Sequence, residues 1–264
     1  MSAADILIDG APASADDLAH VALVNYGAFT SFRVEDGGVR GLDLHLARLE
    51  ASARELFGQA VGEARLRQLV RGAVQERGEC WLKVQLFASE ISPRTPEWIG
   101  RPRVMIAVFP PPAPLAGGLA LQSQVYGRET PHLKHVATFG LVRARRTARA
   151  AGFDDALFVD AAGRISEGSL WNIGFVRGAE VVWPEAPMLA GVGQAVLERK
   201  LAGVGLASVT EPVPLTDLPR FDAAFICNSA TPAAAVTSID GHAFGPPPLE
   251  ALHAAWASQP PQPI

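Results

Sequence analysis

Apolar and polar positions alternate with two different periods along the chain, and each change of period marks an element. Between about residues 42 and 57 the period is helical: Leu46, Leu49, Ala53 and Leu56 fall on one stripe, and Gly58 stops the run. A second helix is predicted from about 62 to 77, followed by strands near 81 and 104. Pro110-Pro111-Pro112-Ala113-Pro114 and the Gly117-Gly118 pair then break the pattern, which predicts a linker over about 110–118 between domains at 1–112 and 119–264. Past the linker, the run after Lys134 predicts an amphipathic helix ending at Gly152, a residue suited to a left-handed cap. Ala156-Leu157-Phe158-Val159-Asp160 predicts a short apolar strand, Ala161-Ala162-Gly163 a turn, and Arg164 to Gly168 a stretch leading into Leu170–Val176. Leu189 to Gly193 reads as a glycine-rich turn opening a helix. Phe225-Ile226-Cys227 reads as a strand that breaks into the small polar residues Asn228, Ser229 and Thr231. The tail after Gly245 predicts a short helix flanked by loosely held chain. The pattern as a whole is mixed α/β, of the α+β class.

Composition narrows the function classes. A chain of 264 residues with a net charge of −4 can bury a sizeable core, and its mild acidity argues against nucleic acid as a partner. No apolar run is long enough to span a bilayer and no basic-then-apolar leader opens the chain, so the expectation is a cytoplasmic protein without a membrane partner. Cys80 and Cys227 sit in different predicted strands without metal-ligand spacing; both read as buried thiols, and no metal is expected. Arg143, Arg145, Arg146 and Arg149 cluster on one predicted helix, where a solvated face accounts for them.

Two residues resist a purely structural account. A lone lysine such as Lys134 is by default a surface side chain, but a carboxylate at Glu167, inside an apolar hairpin, is costly without a cationic partner. The stretch from Lys134 through Asp155-Ala156-Leu157 to Glu167-Gly168-Ser169-Leu170-Trp171-Asn172 resembles the class IV, or fold type IV, pyridoxal-phosphate enzymes. These include branched-chain and D-amino-acid aminotransferases and aminodeoxychorismate lyase, and the order and spacing of several separate elements coincide. The resemblance implies a two-domain fold with a smaller N-terminal domain, a larger strand-rich C-terminal domain and the cofactor, pyridoxal 5'-phosphate, between them. It implies that Lys134 forms the Schiff base and that Glu167 pairs with the pyridine nitrogen. The chemistry agrees: a lysine must become neutral near pH 7 to condense with an aldehyde, and a carboxylate beside the ring nitrogen keeps that nitrogen protonated as an electron sink.

The same resemblance supplies a phosphate cup. Arg48 inherits the phosphate contact of a His-x-x-Arg-Leu pattern, here His45 to Leu49. Gly191, Val192 and Gly193 stand where the family has Gly-Ile/Val-Thr, so backbone donation survives and a hydroxyl contact does not; a helix start is in any case a natural anion site. Ser229 and Ala230 complete the cup, with Thr231 beside them. Ile6-Leu7-Ile8-Asp9-Gly10 and Gly27 to Val34 resemble the family's opening strands. Thr30 and Lys83 match the lyase and are candidate substrate residues, as is Trp171, which stands where a small residue is common and otherwise reads as a core tryptophan. Departures are Ala88-Ser89 for the usual Arg-Gly, Ala137 for an asparagine and Phe139 for the tyrosine of branched-chain enzymes.

Three functions follow. The first is an aminotransferase moving an amino group between an amino acid and a 2-keto acid; the second is a lyase of the aminodeoxychorismate type that eliminates pyruvate; the third is a cofactor-binding protein with little catalysis. Lys134, Glu167 and Arg48 together argue against the third. Thr30 and Lys83 favour the lyase, positions 88, 89 and 137 the transaminase, and the transaminase is the reading adopted. The family further implies a homodimer.

Overall fold

The computed structural model describes residues 5–75 and 77–264, so the far end of the helix expected at about 62–77 reaches a position, 76, outside the described residues. The chain forms two compact units. One comprises the described residues up to Pro112 with Leu133–Ala137 and Pro261–Ile264; the other comprises Ala113–His132 and Thr138–Pro260.

The first unit contains β1 (Asp5–Ile8), β2 (Ala11–Pro12), α1 (Ala15–Leu23), β3 (Ala28–Val34), β4 (Gly38–Val39), α2 (Leu42–Phe57), α3 (Glu63–Val74), β5 (Cys80–Phe87) and β6 (Arg103–Phe109). Its antiparallel sheet runs β2-β1-β6-β5-β3. Because side chains alternate across a strand, β3 divides its residues between faces. Thr30, paired with Val84, lies with Phe32 toward α2 and α3, whereas Phe29, Ser31 and the Ser31 partner Lys83 lie on the other face. Phe32, Leu46, Leu49, Leu66, Leu82 and Val84 fill the helix-covered side; each such fully buried side chain contributes about 1.5–3 kcal/mol. Gly58, at φ +77°, ends α2 in the left-handed conformation as its sequence position predicts.

Three features of this unit are not those expected from sequence. Helix α1 packs Leu18 and Val21 on Ile8, Phe87 and Met105 but buries no residue fully. It is capped by Ser14, whose hydroxyl oxygen accepts the Asp17 N–H at 3.1 Å and whose O–H donates to the Asp17 carboxylate at 2.8 Å. The chain end is tied down: Gln262–Pro263 pairs antiparallel with β4, and Arg67 and Arg71 donate to the carbonyls of Pro263 and Ile264. The segment at Lys134 is extended, with no helix directly after it. Phe29 N–H donates to the Lys134 carbonyl and Val136 N–H to that of Gly27, both at 2.9 Å, so the segment joins the start of β3.

The second unit is built on β7 (Leu119–Val125), α4 (Phe139–Ala150), β8 (Asp155–Val159), β9 (Ile165–Gly168), β10 (Asn172–Arg177), β11 (Glu180–Pro184), α5 (Val192–Glu198), β12 (Ala207–Glu211), β13 (Ala223–Cys227), β14 (Ala234–Ile239), β15 (His242–Ala243) and α6 (Leu249–Ala257). The sheet runs β12-β11-β10-β13-β14-β7-β8-β9, with β15 paired to β14. It mixes parallel pairs, β14 with β7, β7 with β8 and β11 with β12, with antiparallel ones. The β7–α4–β8 connection is a parallel crossover whose helix packs Leu141, Ala144 and Ala148 on Ala156 and Phe158. Gly152, at φ +88°, closes α4 as expected. Of its arginines, Arg143, Arg146 and Arg149 are exposed and Arg145 is half-buried.

Candidate active site

In the first unit the chemistry gathers around β3 and α2. The Lys134 ammonium stands 5.0 Å from the centroid of the Phe29 ring, and the Lys83 ammonium stands 4.6 Å from the same centroid. Two cations thus share one aromatic ring, which attracts each through its quadrupole. Burial pushes the Lys83 pKa down from the ordinary lysine value. On the opposite face of β3, the Thr30 hydroxyl and His45 Nδ1 lie 2.6 Å apart, with Thr30 0% and His45 1% exposed. Thr30 therefore spends its hydroxyl on His45, not on the face that carries Lys83. His45 also packs its ring against Phe32, 4.9 Å between centroids. Burial, followed by the charges of Arg48 and Lys134, holds its pKa well below the usual histidine range, so the imidazole is neutral. Its Nε2 is buried without a hydrogen-bond partner.

In the second unit the Glu-Gly-Ser-Leu-Trp-Asn run gains a physical explanation residue by residue. Glu167 is buried on β9; its Oε1 accepts the Leu189 N–H at 3.3 Å and lies 3.8 Å from Nε of Arg128, the two side chains being 6% and 5% exposed. This meets the requirement that a buried carboxylate have a cationic neighbour. Gly168 lies under the Trp171 indole, and a Cβ there would come within 2.3 Å of the ring. Ser169 donates its hydroxyl proton to Asp155 Oδ1 at 2.7 Å, and Trp171 donates Nε1–H to Oδ2 at 3.0 Å. Asn172 donates to the Leu189 carbonyl at 3.0 Å. Glu167 and Asn172 thereby grip the N–H and the carbonyl of one residue, Leu189, two positions before the Gly191 cap of α5. A Cβ on Gly191 would fall 1.9 Å from the Asn172 Oδ1, and one on Gly193 would fall 2.7 Å from the Asn228 backbone. Both glycines are needed for close approach.

Trp171 is 3% exposed and belongs to the core formed with Leu157, Ile165 and Ile173, which is the core-tryptophan reading and not that of a substrate wall. After β13, Asn228 Oδ1 accepts the amides of Ala230 and Thr231 at 2.9 and 2.8 Å. The Ala230 amide is accordingly engaged within its own turn, and the Thr231 hydroxyl oxygen accepts the Leu115 N–H at 2.9 Å. Among the described residues the Ser229 hydroxyl makes no hydrogen bond, and it stays half-buried.

The family description "Amino-transferase class IV" matches residues 27–239, most of the chain and all of these groups. The chain belongs to the class IV aminotransferases. Membership brings the family's chemistry, amino-group transfer on pyridoxal phosphate, and makes the chain an enzyme of the transferase class. The "Putative branched-chain-amino-acid aminotransferase" of Methanocaldococcus jannaschii is 26% identical over 238 residues, covering 84% of this class IV aminotransferase and 81% of the relative. Among solved structures, the branched-chain aminotransferase from the thermophilic archaeon Thermoproteus uzoniensis with norvaline superposes with a TM-score of 0.82 at 20% identity. The match covers 96% of this chain and 94% of that one. The branched-chain amino acid aminotransferase from Escherichia coli gives 0.84 at 20%, covering 97% and 94%. At these identities the structural likeness establishes the fold, mixed α/β of fold type IV.

Sequence reasoning missed Arg128, Asp155 and His45 as members of these clusters. The cost of a buried carboxylate called for a cation near Glu167, which the resemblance met with the pyridine nitrogen, and nothing local identified Arg128, 39 positions before it. His45 was visible only as the first letter of the His-x-x-Arg-Leu pattern.

Proposed function

We propose that this class IV aminotransferase uses Lys134 as the amine that holds pyridoxal 5'-phosphate and moves amino groups between an amino acid and a 2-keto acid. The observation that supports it is the buried His45, on the helix that also carries Arg48, whose Nε2 has no hydrogen-bond partner among the described residues. Such a centre suits an anionic group. The residues fit the cofactor: among the described residues the buried His45 Nε2 and the half-buried Ser229 hydroxyl are polar atoms without a hydrogen-bond partner.

When bound, the cofactor supplies an electron sink for the carbanion at the substrate carbon. The chain's own residues do the rest. Arg48, the backbone of Gly191, Val192 and Gly193, and the Ser229 hydroxyl would hold its phosphate; Ala230 would contribute shape more than an amide, since its N–H is engaged. Glu167, steadied by Arg128, would accept a hydrogen bond from the ring nitrogen and keep that nitrogen protonated. The Lys134 amine would take and return the proton at the substrate carbon. Lys83, beside Phe29, would attract the substrate carboxylate, with the aromatic ring as apolar neighbour. A branched-chain amino acid, the substrate in the relatives' names, is the class to test first. The lyase alternative loses one of its two supports, because Thr30 is turned toward α2. A homodimer, a cytoplasmic location and a domain boundary at 110–118 belong to the same proposal. Among the described residues no helix is long and apolar enough to cross a membrane.

The test mixes the purified yellow protein with a panel of L- and D-amino acids and follows its absorbance and the release of 2-keto acid. Half-transfer with keto-acid release is expected; pyruvate release from aminodeoxychorismate alone would replace the reading with the lyase. Lys134→Ala should remove the borohydride-reducible yellow band, and a band that persists would show the lysine to be wrong.

A further inference from the structure

The Thr30–His45 pair has a direction. Among the described residues the Thr30 hydroxyl has no partner but His45 Nδ1, and both side chains are buried. If Nδ1–H donated to Thr30, the hydroxyl proton would lack an acceptor and the Nε2 lone pair would lack a donor, two orphaned groups. If Thr30 O–H donates to Nδ1, a single orphan remains, an Nε2–H. Buried orphans are costly, so the second arrangement prevails and Thr30 fixes the tautomer. The remaining donor sits on the same helix as Arg48, three residues and nearly one turn away. It is close enough to Arg48 and Lys134 for both charges to act on the ring. The surroundings that keep the imidazole neutral are those that attract an anion, and a neutral imidazole can still donate to one.

We propose that His45 is an additional anion-holding residue, which donates Nε2–H to an oxygen of the phosphate held by Arg48, and that Thr30 is the positioning residue that sets its tautomer. The proposal rests on the reading of the cofactor given above and adds to it a donor that is uncharged, buried and independent of the Arg48 charge. Thr30 is thereby assigned to the phosphate side and not to the substrate.

The experiment uses the full chain freed of cofactor by dialysis and two probes, pyridoxal 5'-phosphate and pyridoxal, which lacks the phosphate. His45→Phe, which keeps the ring against Phe32, should weaken pyridoxal 5'-phosphate binding by about tenfold to a hundredfold, the range for a hydrogen bond to a charged group. It should leave pyridoxal unchanged, and His45→Gln should recover part of the loss. Imidazole nitrogen NMR on the wild type should show the neutral Nε2–H form, and Thr30→Val should release it to a mixture. Equal losses for both probes, no loss for either, or a wild-type Nδ1–H form would each overturn the proposal. The NMR result decides even where His45→Phe fails to fold. A wild type that binds pyridoxal 5'-phosphate while these outcomes appear leaves the cofactor reading standing; one that binds neither probe overturns both.

Discussion

The two units each bury a polar cluster, and the clusters are finished to different degrees. In the second unit Asp155 accepts from the Ala156 amide at 2.8 Å, the Ser169 hydroxyl and the Trp171 indole, and Arg145 stands 3.5 Å from it. Each carboxylate oxygen is engaged and the negative charge has its counterion, while the Arg145 Nε is buried without a hydrogen bond of its own. In the first unit the Thr30–His45 pair closes on one side and leaves Nε2 open. A carboxylate whose two oxygens are both engaged is a fastening; a buried imidazole nitrogen that pairs with nothing among the described residues can still take a ligand. The difference separates scaffold from binding site where burial alone does not, since Asp155 and His45 are buried to nearly the same extent.

The largest expected effect falls on the fastened side. Asp155→Ala strips the counterion from half-buried Arg145 and leaves the Ser169 hydroxyl and the Trp171 N–H without acceptors. Breaking a buried pair by removing one partner costs about 3–5 kcal/mol. Urea unfolding followed by tryptophan fluorescence should show a loss of this order, and Asp155→Asn, which keeps one acceptor, should lose about 1–3 kcal/mol. A stable Asp155→Ala protein would break the comparison, because the cluster would then not be a fastening.

A smaller loss is expected from Gly168→Ala. The added methyl would meet three Trp171 ring atoms at 2.3–2.4 Å, and strand pairing with Leu157 fixes the backbone, so the indole has to move. Overpacking of this kind costs about 1–3 kcal/mol. The signal that sharpens the comparison is local: the near-ultraviolet dichroism of Trp171 should change, and cofactor retention should fall with it because Glu167 is the adjacent residue. Unchanged retention with a moved indole would uncouple the fastening from the site.

How much of this was legible beforehand depended on how local each cause is. Helix α2 was readable because its apolar stripe and Gly58 are both within the segment. The Glu167–Asn172 motif was readable as a resemblance, but the reason for its glycine and asparagine was not, since Trp171 and Leu189 meet them only in the folded sheet. The extended segment at Lys134 was misread as the start of a helix because its partner, β3, lies over a hundred positions earlier. The chain end was misread for the same reason, its partner being β4. Helix α1 was missed although Ser14 and Asp17 carry a cap signature, because it is only nine residues long and buries no residue fully.

The open side of the comparison is probed by Lys83→Met. Burial lowers the Lys83 pKa in the folded state, so between that lowered value and the unfolded value near 10.5 the unfolded chain binds more protons. Stability therefore rises with pH across that window, and at pH 7 the buried charge is a cost. Removing it should leave the protein as stable or more stable by roughly 1 kcal/mol at neutral pH, with the gain shrinking as pH approaches 10.5. Activity should move the other way, with KM for the amino acid raised and cofactor retention intact. A stability loss at pH 7 would show that Lys83 serves structure.

The smallest effect is the reaction of two thiols, and it separates the units most directly. Cys80 lies on β5 in the first unit and Cys227 on β13 in the second, both free and buried. Burial raises both thiol pKa values, and Glu198 raises that of Cys227 further. Since the thiolate is the reactive form, neither should react with a disulfide reagent at pH 8 until its own unit opens. Each thiol thus times the opening of one cluster's surroundings. In Asp155→Ala the Cys227 reaction should accelerate, since the fastening of its unit is gone, while the Cys80 reaction keeps its wild-type rate. Acceleration of both by the same factor would mean that the fastening holds the whole chain and not one unit, and the contrast between a closed scaffold and an open site would have to be drawn at another place.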